Sequence, residues 1–101
     1  MLPDKAKVKE SLKNVVDPEI GLNIVDLGLV YYIEISDDGK VKIEMTMTSP
    51  MCPAADVILE NTKHFAGLAE GVTSVDIVLV WDPPWDPKMM SEEGRAQMDF
   101  M

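Results

Sequence analysis

Apolar residues in the first stretch of the chain recur with the period of an α-helix. They stand at positions i, i+4, i+7 and i+8 of one helical face: Val8, Leu12, Val15 and Val16. Lysine and glutamate side chains occupy the other positions of the same helical wheel. Pro18 disfavours helical backbone at the residue before it. The pattern therefore predicts a helix over about residues 3–16 with its apolar face in the core.

Residues 17–28 connect this helix to the next element, and they are unusually apolar for a connector. Between turn-forming residues stand Ile20, Leu22, Ile24, Val25 and Leu27. Burying such side chains is favourable, so we expect the segment to pack against the core rather than to extend into solvent.

Apolar residues recur at every second position in the next two runs, Leu29 to Ser36 and Val41 to Thr48, which flank an Asp-Gly turn. This pattern predicts an antiparallel hairpin with one face in the core and the other open to solvent. Met45 and Met47 fall on the core alternation, and we interpret them as buried filler rather than metal ligands. Thr46 falls on the outer face.

Two helices and a strand complete the pattern. A helical apolar face predicts a helix over about residues 53–69, with Pro53 at its first position. The segment from Val72 to Trp81, which holds the apolar run Ile77-Val78-Leu79-Val80, predicts a third strand, covered in part on both faces. A serine followed by two glutamates predicts a short C-terminal helix of about residues 91–100.

The predicted order is αββαβα. It indicates a two-layer α+β fold, in which a three-stranded mixed sheet carries helices mainly on one face. We interpret residues 1–101 as a single domain, because a chain of this length supports one modest core.

Composition excludes several function classes. The chain has 18 acidic and 9 basic residues and a net charge of −9, which disfavours nucleic-acid binding. No stretch approaches the roughly 18 apolar residues of a membrane helix, and the first residues lack the apolar region of a secretory signal. The single cysteine can form no disulfide within the chain. We therefore expect a cytoplasmic protein without nucleic-acid or membrane partners.

That cysteine, Cys52, is the first candidate for chemistry. It stands between two prolines at the expected N-cap of the second helix, where the helix dipole would stabilise a thiolate. Two interpretations stay open, a reactive or ligating thiol and a small buried hydrophobe. Thr48 and Ser49 lead directly into this segment, and their hydroxyls could donate to a thiolate or to a cluster sulfide.

Carboxylates in the apolar connector are the second candidate, namely Asp17, Glu19 and Asp26. Buried charges of this kind need hydrogen bonds or a cation. They would orient a metal, accept protons, or structure the loop by capping backbone N–H groups. The only histidine, His64, is expected on the exposed face of the second helix.

Two tryptophans, Trp81 and Trp85, flank two prolines within a rigid segment, residues 81–87, that holds three prolines in seven residues. Their rings either cover one end of the sheet or form a docking surface for a partner.

Taken in order, these motifs resemble the SufT/PaaD-like family of iron–sulfur assembly proteins, whose eukaryotic relatives belong to the cytosolic iron–sulfur targeting complex. The resemblance covers nearly the whole chain. The motifs that carry it are Asp17-Pro18-Glu19-Ile20, Asp26-Leu27-Gly28-Leu29-Val30, Thr48-Ser49-Pro50-Met51-Cys52-Pro53, the segment from Trp81 to Trp85, and Met90-Ser91-Glu92-Glu93.

The resemblance implies an accessory factor that assists the maturation of iron–sulfur proteins and has no enzymatic turnover. The family's signature cysteine corresponds to Cys52, as a transient ligand or an adaptor contact. The supporting family positions correspond to Asp17, Glu19, Asp26, Thr48 and Ser49. Because four-iron clusters take four cysteines, this single thiolate would hold a cluster or iron only in transit, together with another chain. No stable cofactor is expected.

The partners that follow from the resemblance are iron–sulfur scaffolds or client apoproteins. An exposed edge strand would also allow a homodimer.

Three other interpretations stay open. One is a PaaD-like maturation subunit for a multicomponent oxygenase of phenylacetate degradation, although this sequence lacks the zinc-like C-terminal cysteines of such members. The second is a cysteine-dependent enzyme, which no base or oxyanion constellation supports. The third is an interaction domain with Cys52 buried.

Overall fold

The computed structural model describes residues 3–18, 20–48 and 54–99. In chain order, its elements are α1 (Lys5–Leu12), α2 (Ile24–Leu27), β1 (Val30–Ile35), β2 (Lys40–Met45), α3 (Ala55–Gly67), β3 (Ser74–Leu79), a 3-10 turn (Pro87–Met89) and α4 (Glu92–Asp99). The predicted order αββαβα is confirmed. The one-turn helix α2 and the 3-10 turn are additions that periodicity could not detect, since each is shorter than a hydrophobic repeat.

The three strands form one sheet in the order β1-β2-β3. Strands β1 and β2 pair antiparallel, as the hairpin pattern predicts, and β2 and β3 pair parallel. Parallel neighbours need a crossover connection, which α3 provides between the end of β2 and the start of β3. The predicted mixed, three-stranded sheet is confirmed.

The core lies on one face of this sheet. Along β2 the core-facing side chains are buried, whereas Lys40 and Lys42, which alternate with them, are exposed. Helices α1 and α3 pack against each other and against the sheet. Their buried residues, with those of β2, are Val8, Leu12, Ile58, Thr62, Ala66, Val41, Ile43 and Met45. Burying each large aliphatic side chain contributes roughly 1.5–3 kcal/mol, so this layer accounts for much of the favourable free energy of folding.

Helix α1 is shorter than its apolar pattern indicates. It ends at Leu12, and the Lys13 N–H donates to the Glu10 carbonyl across 3.2 Å. The chain then pairs with itself: Val16 forms an isolated antiparallel bridge with Asn23. This bridge turns the Val16 side chain outward, so the prediction that it lies on the buried face is wrong.

The apolar connector packs inward as predicted. Leu22, Ile24 and Leu27 are buried in the same core. The turn α2 forms here because the Asn23 side chain accepts a hydrogen bond from the Asp26 N–H across 2.9 Å.

The alternation of the hairpin fails at the end of β2. Met45 and Met47 are buried as predicted, but Thr46, predicted on the outer face, is 0% exposed. Because the strand ends at Met45, the period-2 rule does not apply to the residues that follow it.

The start of α3 also differs from the prediction. Ala54 is its N-cap, two residues after the expected cap at Cys52 and one after the expected first helical residue, Pro53. Both of those residues lie outside the described residues. His64 is exposed on this helix, as predicted.

Strand β3 is only half-covered. Its successive residues Ile77 and Val78 are both half-buried, although they point to opposite faces of the sheet. The predicted partial cover on both faces is therefore present, without a fully buried residue in this strand. Within the described residues, no helix is long and apolar enough to cross a membrane.

Candidate functional site

Chain segments in or next to three of the motifs meet at one end of the sheet. The Thr46 N–H donates to the Leu29 carbonyl across 2.9 Å, and the Val80 N–H donates to the Met45 carbonyl across 2.8 Å. These two bonds join the start of β1, the end of β2 and the end of β3. Segment 49–53, which contains Cys52, lies outside the described residues. The chain enters that segment just beyond this junction, which we call the strand-end junction.

Asp26 forms hydrogen bonds that connect separate parts of the chain at this end of the sheet. Its side chain is only 8% exposed, and one carboxylate oxygen accepts a 2.7 Å bond from the Asn23 amide. The other oxygen accepts a 2.9 Å bond from the Ser91 hydroxyl, and the Asp26 carbonyl accepts a 2.8 Å bond from the Ser91 N–H. These bonds support the interpretation of Asp26 as a loop-structuring carboxylate.

Ser91 in turn starts α4, as its Ser-Glu-Glu sequence predicts. Its hydroxyl accepts a 3.0 Å bond from the Gly94 N–H, and its carbonyl accepts the first helical bond from Arg95. Asp26 therefore fixes the position of the C-terminal helix through Ser91.

Two aromatic side chains fix the proline-rich segment to the same place. The Trp85 indole N–H donates to the Leu27 carbonyl across 2.7 Å, and the half-buried ring packs against the core. The Tyr31 hydroxyl donates to the Pro83 carbonyl across 2.8 Å, and burial raises the pKa of this tyrosine. Trp85 thus covers the end of the sheet, whereas Trp81 is 45% exposed. The docking role predicted for the two rings stays a prediction.

The structure describes two of the other predicted site residues, Asp17 and Thr48. Asp17 is 1% exposed, and its carbonyl accepts a 2.7 Å bond from the Gly21 N–H in the turn that opens the connector. Thr48 is half-buried just past the strand-end junction. Glu19 and Ser49, like Cys52, lie outside the described residues. The predicted grouping of these side chains around the thiol stays a prediction.

Metal-ligand clusters are absent from the part of the chain that the structure describes. Residues 3–18, 20–48 and 54–99 hold no group of three or more His, Cys, Asp or Glu side chains arranged for a metal ion.

Sequence reasoning missed one polar group near the site. The hydroxyl oxygen of Thr46 is buried and has no hydrogen-bond partner among the described residues. Leaving such a group unsatisfied costs about 1–3 kcal/mol. The signal in the sequence was the position of Thr46 three residues before Ser49, close to the cysteine motif. Strand alternation, however, had assigned Thr46 to the solvent face.

Replacing Thr46 with valine is expected to raise the free energy of unfolding by about 1 kcal/mol, because it removes the unsatisfied hydroxyl with little change of shape. Urea denaturation of both proteins measures this change. Thr46→Ser is the matched control, since it keeps the hydroxyl and loses the methyl, and it should be less stable than the parent. A valine variant less stable than the parent would show that the hydroxyl has a partner in solution.

The comparisons with known proteins agree with the observed fold. Residues 5–77 match the family of iron–sulfur cluster assembly proteins, and the chain belongs to that family. The resemblance inferred from the motifs is thereby confirmed.

Two curated relatives carry closely related names. The chain is 40% identical over 100 residues to an Fe-S protein maturation auxiliary factor of Porphyromonas gingivalis, covering 99% of this chain and 95% of that protein. It is 39% identical over 84 residues to the Fe-S protein maturation auxiliary factor SufT of Staphylococcus aureus, covering 83% of this chain and 96% of that protein.

A solved structure and a third relative complete the comparison. A domain of unknown function from Bacillus anthracis superposes with a TM-score of 0.91 at 33% identity, covering 96% of this chain and 92% of that one, which confirms the α+β fold. An Escherichia coli protein, named as one subunit of a putative 1,2-phenylacetyl-CoA epoxidase, is 32% identical over 97 residues. That match covers 95% of this chain and 58% of the E. coli protein.

Proposed function

We propose that this protein is an accessory factor in the maturation of iron–sulfur proteins, without enzymatic turnover, and that Cys52 contacts the cluster or its recipient during delivery. The observation that carries the proposal is the 40% identity over 95% of the P. gingivalis maturation factor. Almost every part of that factor thus has a counterpart in this chain.

The described geometry supports a delivery role for the segment that carries Cys52. Thr46 is tied to Leu29 on one side of this segment, and the Ala54 carbonyl accepts a 2.9 Å bond from the Ile58 N–H on the other. Both flanks are thus anchored in the folded domain. A single thiolate supplies one of the usual four cluster ligands, so it can accept a cluster only together with other ligands and release it afterwards.

The partners in this proposal are a scaffold that supplies the cluster and an apoprotein that receives it. The cluster is cargo rather than a resident cofactor. We place this activity in the cytoplasm, because a lone thiol that must stay reduced suits a reducing compartment.

The PaaD-like alternative has one observation in its favour, the 32% identity to the E. coli protein. That match leaves about two-fifths of the E. coli protein without a counterpart here, whereas the maturation factors are matched over nearly their full length. The general maturation role is therefore the better supported of the two.

The enzyme alternative would need a base beside Cys52, and the single histidine of the sequence is His64. His64 stands ten residues after Ala54 on α3, or about 15 Å along the helix axis at 1.5 Å per residue. Its exposed ring lies edge-on to Phe65, with ring centroids 5.2 Å apart. This position weighs against a Cys52–His64 catalytic pair.

A reconstitution assay tests the proposed function. A scaffold protein loaded with a four-iron cluster is mixed, without oxygen, with an apoenzyme whose activity requires that cluster. Adding stoichiometric amounts of this protein is expected to speed the recovery of enzyme activity. Bovine serum albumin at the same concentration is the control. Equal recovery rates with either protein would overturn the proposal.

A further inference from the structure

A groove runs along the free edge of β1. This strand is at one edge of the sheet, and a concavity of about 280 Å³ separates it from α1. Lys5 and Lys9 line the helix side of the concavity, and residues 30–33 line the strand side. A second concavity of about 550 Å³ continues toward Pro83 and Met89 and shares Lys9 with the first. We call the two together the β1 groove.

The outer edge of the β1 backbone is unpaired among the described residues. Its main-chain hydrogen bonds go to β2, and within the described residues no other backbone segment pairs with Val30–Ile35. An edge strand with unpaired N–H and C=O groups is a template on which an extended peptide can add as a further strand.

The helix side of the groove is basic although the protein is acidic. Four of the nine basic residues fall within residues 5–13, against a net charge of −9 for the whole chain. Lys5, Lys9 and Lys13 are spaced by four residues, so they share one face of the α1 region. Lys13 pairs with Glu10 across 3.8 Å, but no ion pair within the described residues neutralises Lys5 or Lys9.

The strand side of the groove adds apolar and aromatic surface. Tyr32 is 48% exposed, and the Lys5 amine lies 5.5 Å from the centroid of its ring. Tyr31 reaches Pro83 at the far end and is held there by its hydroxyl. The groove therefore combines an unpaired strand edge, two unneutralised lysines and a hydrophobic floor.

We propose that the β1 groove binds an extended acidic segment of a partner protein, which adds as a strand beside β1 and sets its carboxylates against Lys5 and Lys9. Charge complementarity selects this occupant. A second copy of the chain, pairing β1 with β1, would bring two basic helix faces to one seam. A nucleic acid would be repelled by the acidic remainder of the surface and would not use the strand edge. Among the described residues, none that is assigned to cluster delivery lines the groove. Peptide binding is measured without the maturation assay, so the two proposals are tested separately.

The test uses a defined probe, a fluorescein-labelled peptide with the sequence Glu-Val-Glu-Val-Glu-Val-Glu and blocked ends. Fluorescence polarisation at low salt measures its affinity for the intact protein. Amide shifts in a ¹H–¹⁵N spectrum locate the peptide, and those of Val30–Ile33 are expected to move most. Lys9→Glu should weaken binding about tenfold, because it turns an attraction at the groove into a repulsion.

Lys7→Glu is the matched control, since it changes the net charge equally on the same helix at an exposed position outside these concavities. It should weaken binding no more than about twofold, as expected for a long-range effect of charge. A peptide with N-methyl groups at alternate residues keeps every carboxylate but cannot add as a strand, and it should bind at least about tenfold more weakly. Equal effects of Lys7→Glu and Lys9→Glu, undiminished binding of the N-methylated peptide, or unmoved β1 amides would each overturn the proposal.

Discussion

Replacing Gly28 with alanine is expected to lower the free energy of unfolding by about 2–4 kcal/mol, from left-handed backbone strain together with a forced close contact. Gly28 has a φ of 81°, in the region that disfavours a side chain. A Cβ atom at this position would clash with the Met89 carbonyl oxygen. Because that oxygen belongs to the backbone, no change of side-chain rotamer relieves the contact. Segment 87–91 would have to move.

The displaced segment carries the contacts that hold the C-terminal helix. Ser91 would lose its bonds to the Asp26 carbonyl and carboxylate, and Tyr31 would lose its approach to the Met89 sulfur. The indole of Trp85 reports this end of the sheet, so its fluorescence should shift toward that of an exposed ring in the variant. Urea denaturation gives the loss of stability.

Gly21→Ala is the matched control for this prediction. Gly21 has a φ of 80°, almost the same as Gly28, but no described atom lies within 4 Å of a Cβ built there. Both variants therefore carry the same backbone strain, and only one carries the contact with Met89. The difference between their unfolding free energies measures the docking of the C-terminal segment. Equal losses in the two variants would show that this segment does not rest on Gly28 in solution.

Local patterns predicted the elements that local forces determine. The alternation on either side of the Asp-Gly turn gives the hairpin, and the apolar face of residues 55–67 gives α3. Where a local rule failed, the regular element had already ended and other backbone pairing set the direction of the side chain. Val16 faces outward because its backbone pairs with Asn23, and Thr46 is buried because the chain has already left the strand at Met45.

The candidate site was likewise predictable only in part. The order and spacing of the motifs predicted the family, because motif spacing is visible in one dimension. The hydrogen-bond partner of Asp26 could not be predicted in this way, because its carboxylate bonds a hydroxyl 65 residues away along the chain. Asp26 and Asp17 were grouped by their neighbourhood in sequence, but only Asp26 is seen to fix α4. No periodicity encodes such a pairing, and the sequence alone left three roles open for these acids.

Replacing Cys52 with alanine is expected to lower the rate of client maturation in the reconstitution assay by at least about tenfold, while the free energy of unfolding changes by less than about 1 kcal/mol. The functional loss follows if the thiolate contacts the cluster or the client, since no second cysteine can replace it. The small change in stability follows if the residue serves binding rather than the core, because truncation of a residue outside well-packed interiors is usually mild. Val57→Ala, an exposed truncation in the first turns of α3, is the matched control and should leave the maturation rate unchanged.

Because the chain has one cysteine, alkylation gives an independent version of the same test. Iodoacetamide can form one thioether on the wild-type protein and none on Cys52→Ala, and mass spectrometry verifies both states. Alkylated wild type should mature the client as slowly as the alanine variant. Full activity of both would show that the maturation role does not use the thiol, leaving the proposed function in place and removing Cys52 from it.

Spectroscopy then separates the two roles that Cys52 could have in delivery. If the thiolate ligates iron, wild type incubated with iron and sulfide without oxygen gains visible charge-transfer absorption that Cys52→Ala lacks. If the thiol is an adaptor contact, the two spectra agree, while capture of the client apoprotein is lost in the variant. A single thiolate cannot complete the ligand set of a cluster, so the ligand version further requires that the absorption increase when the client is added. The adaptor version requires no such increase, and the two versions therefore differ in a measurement that needs no enzyme activity.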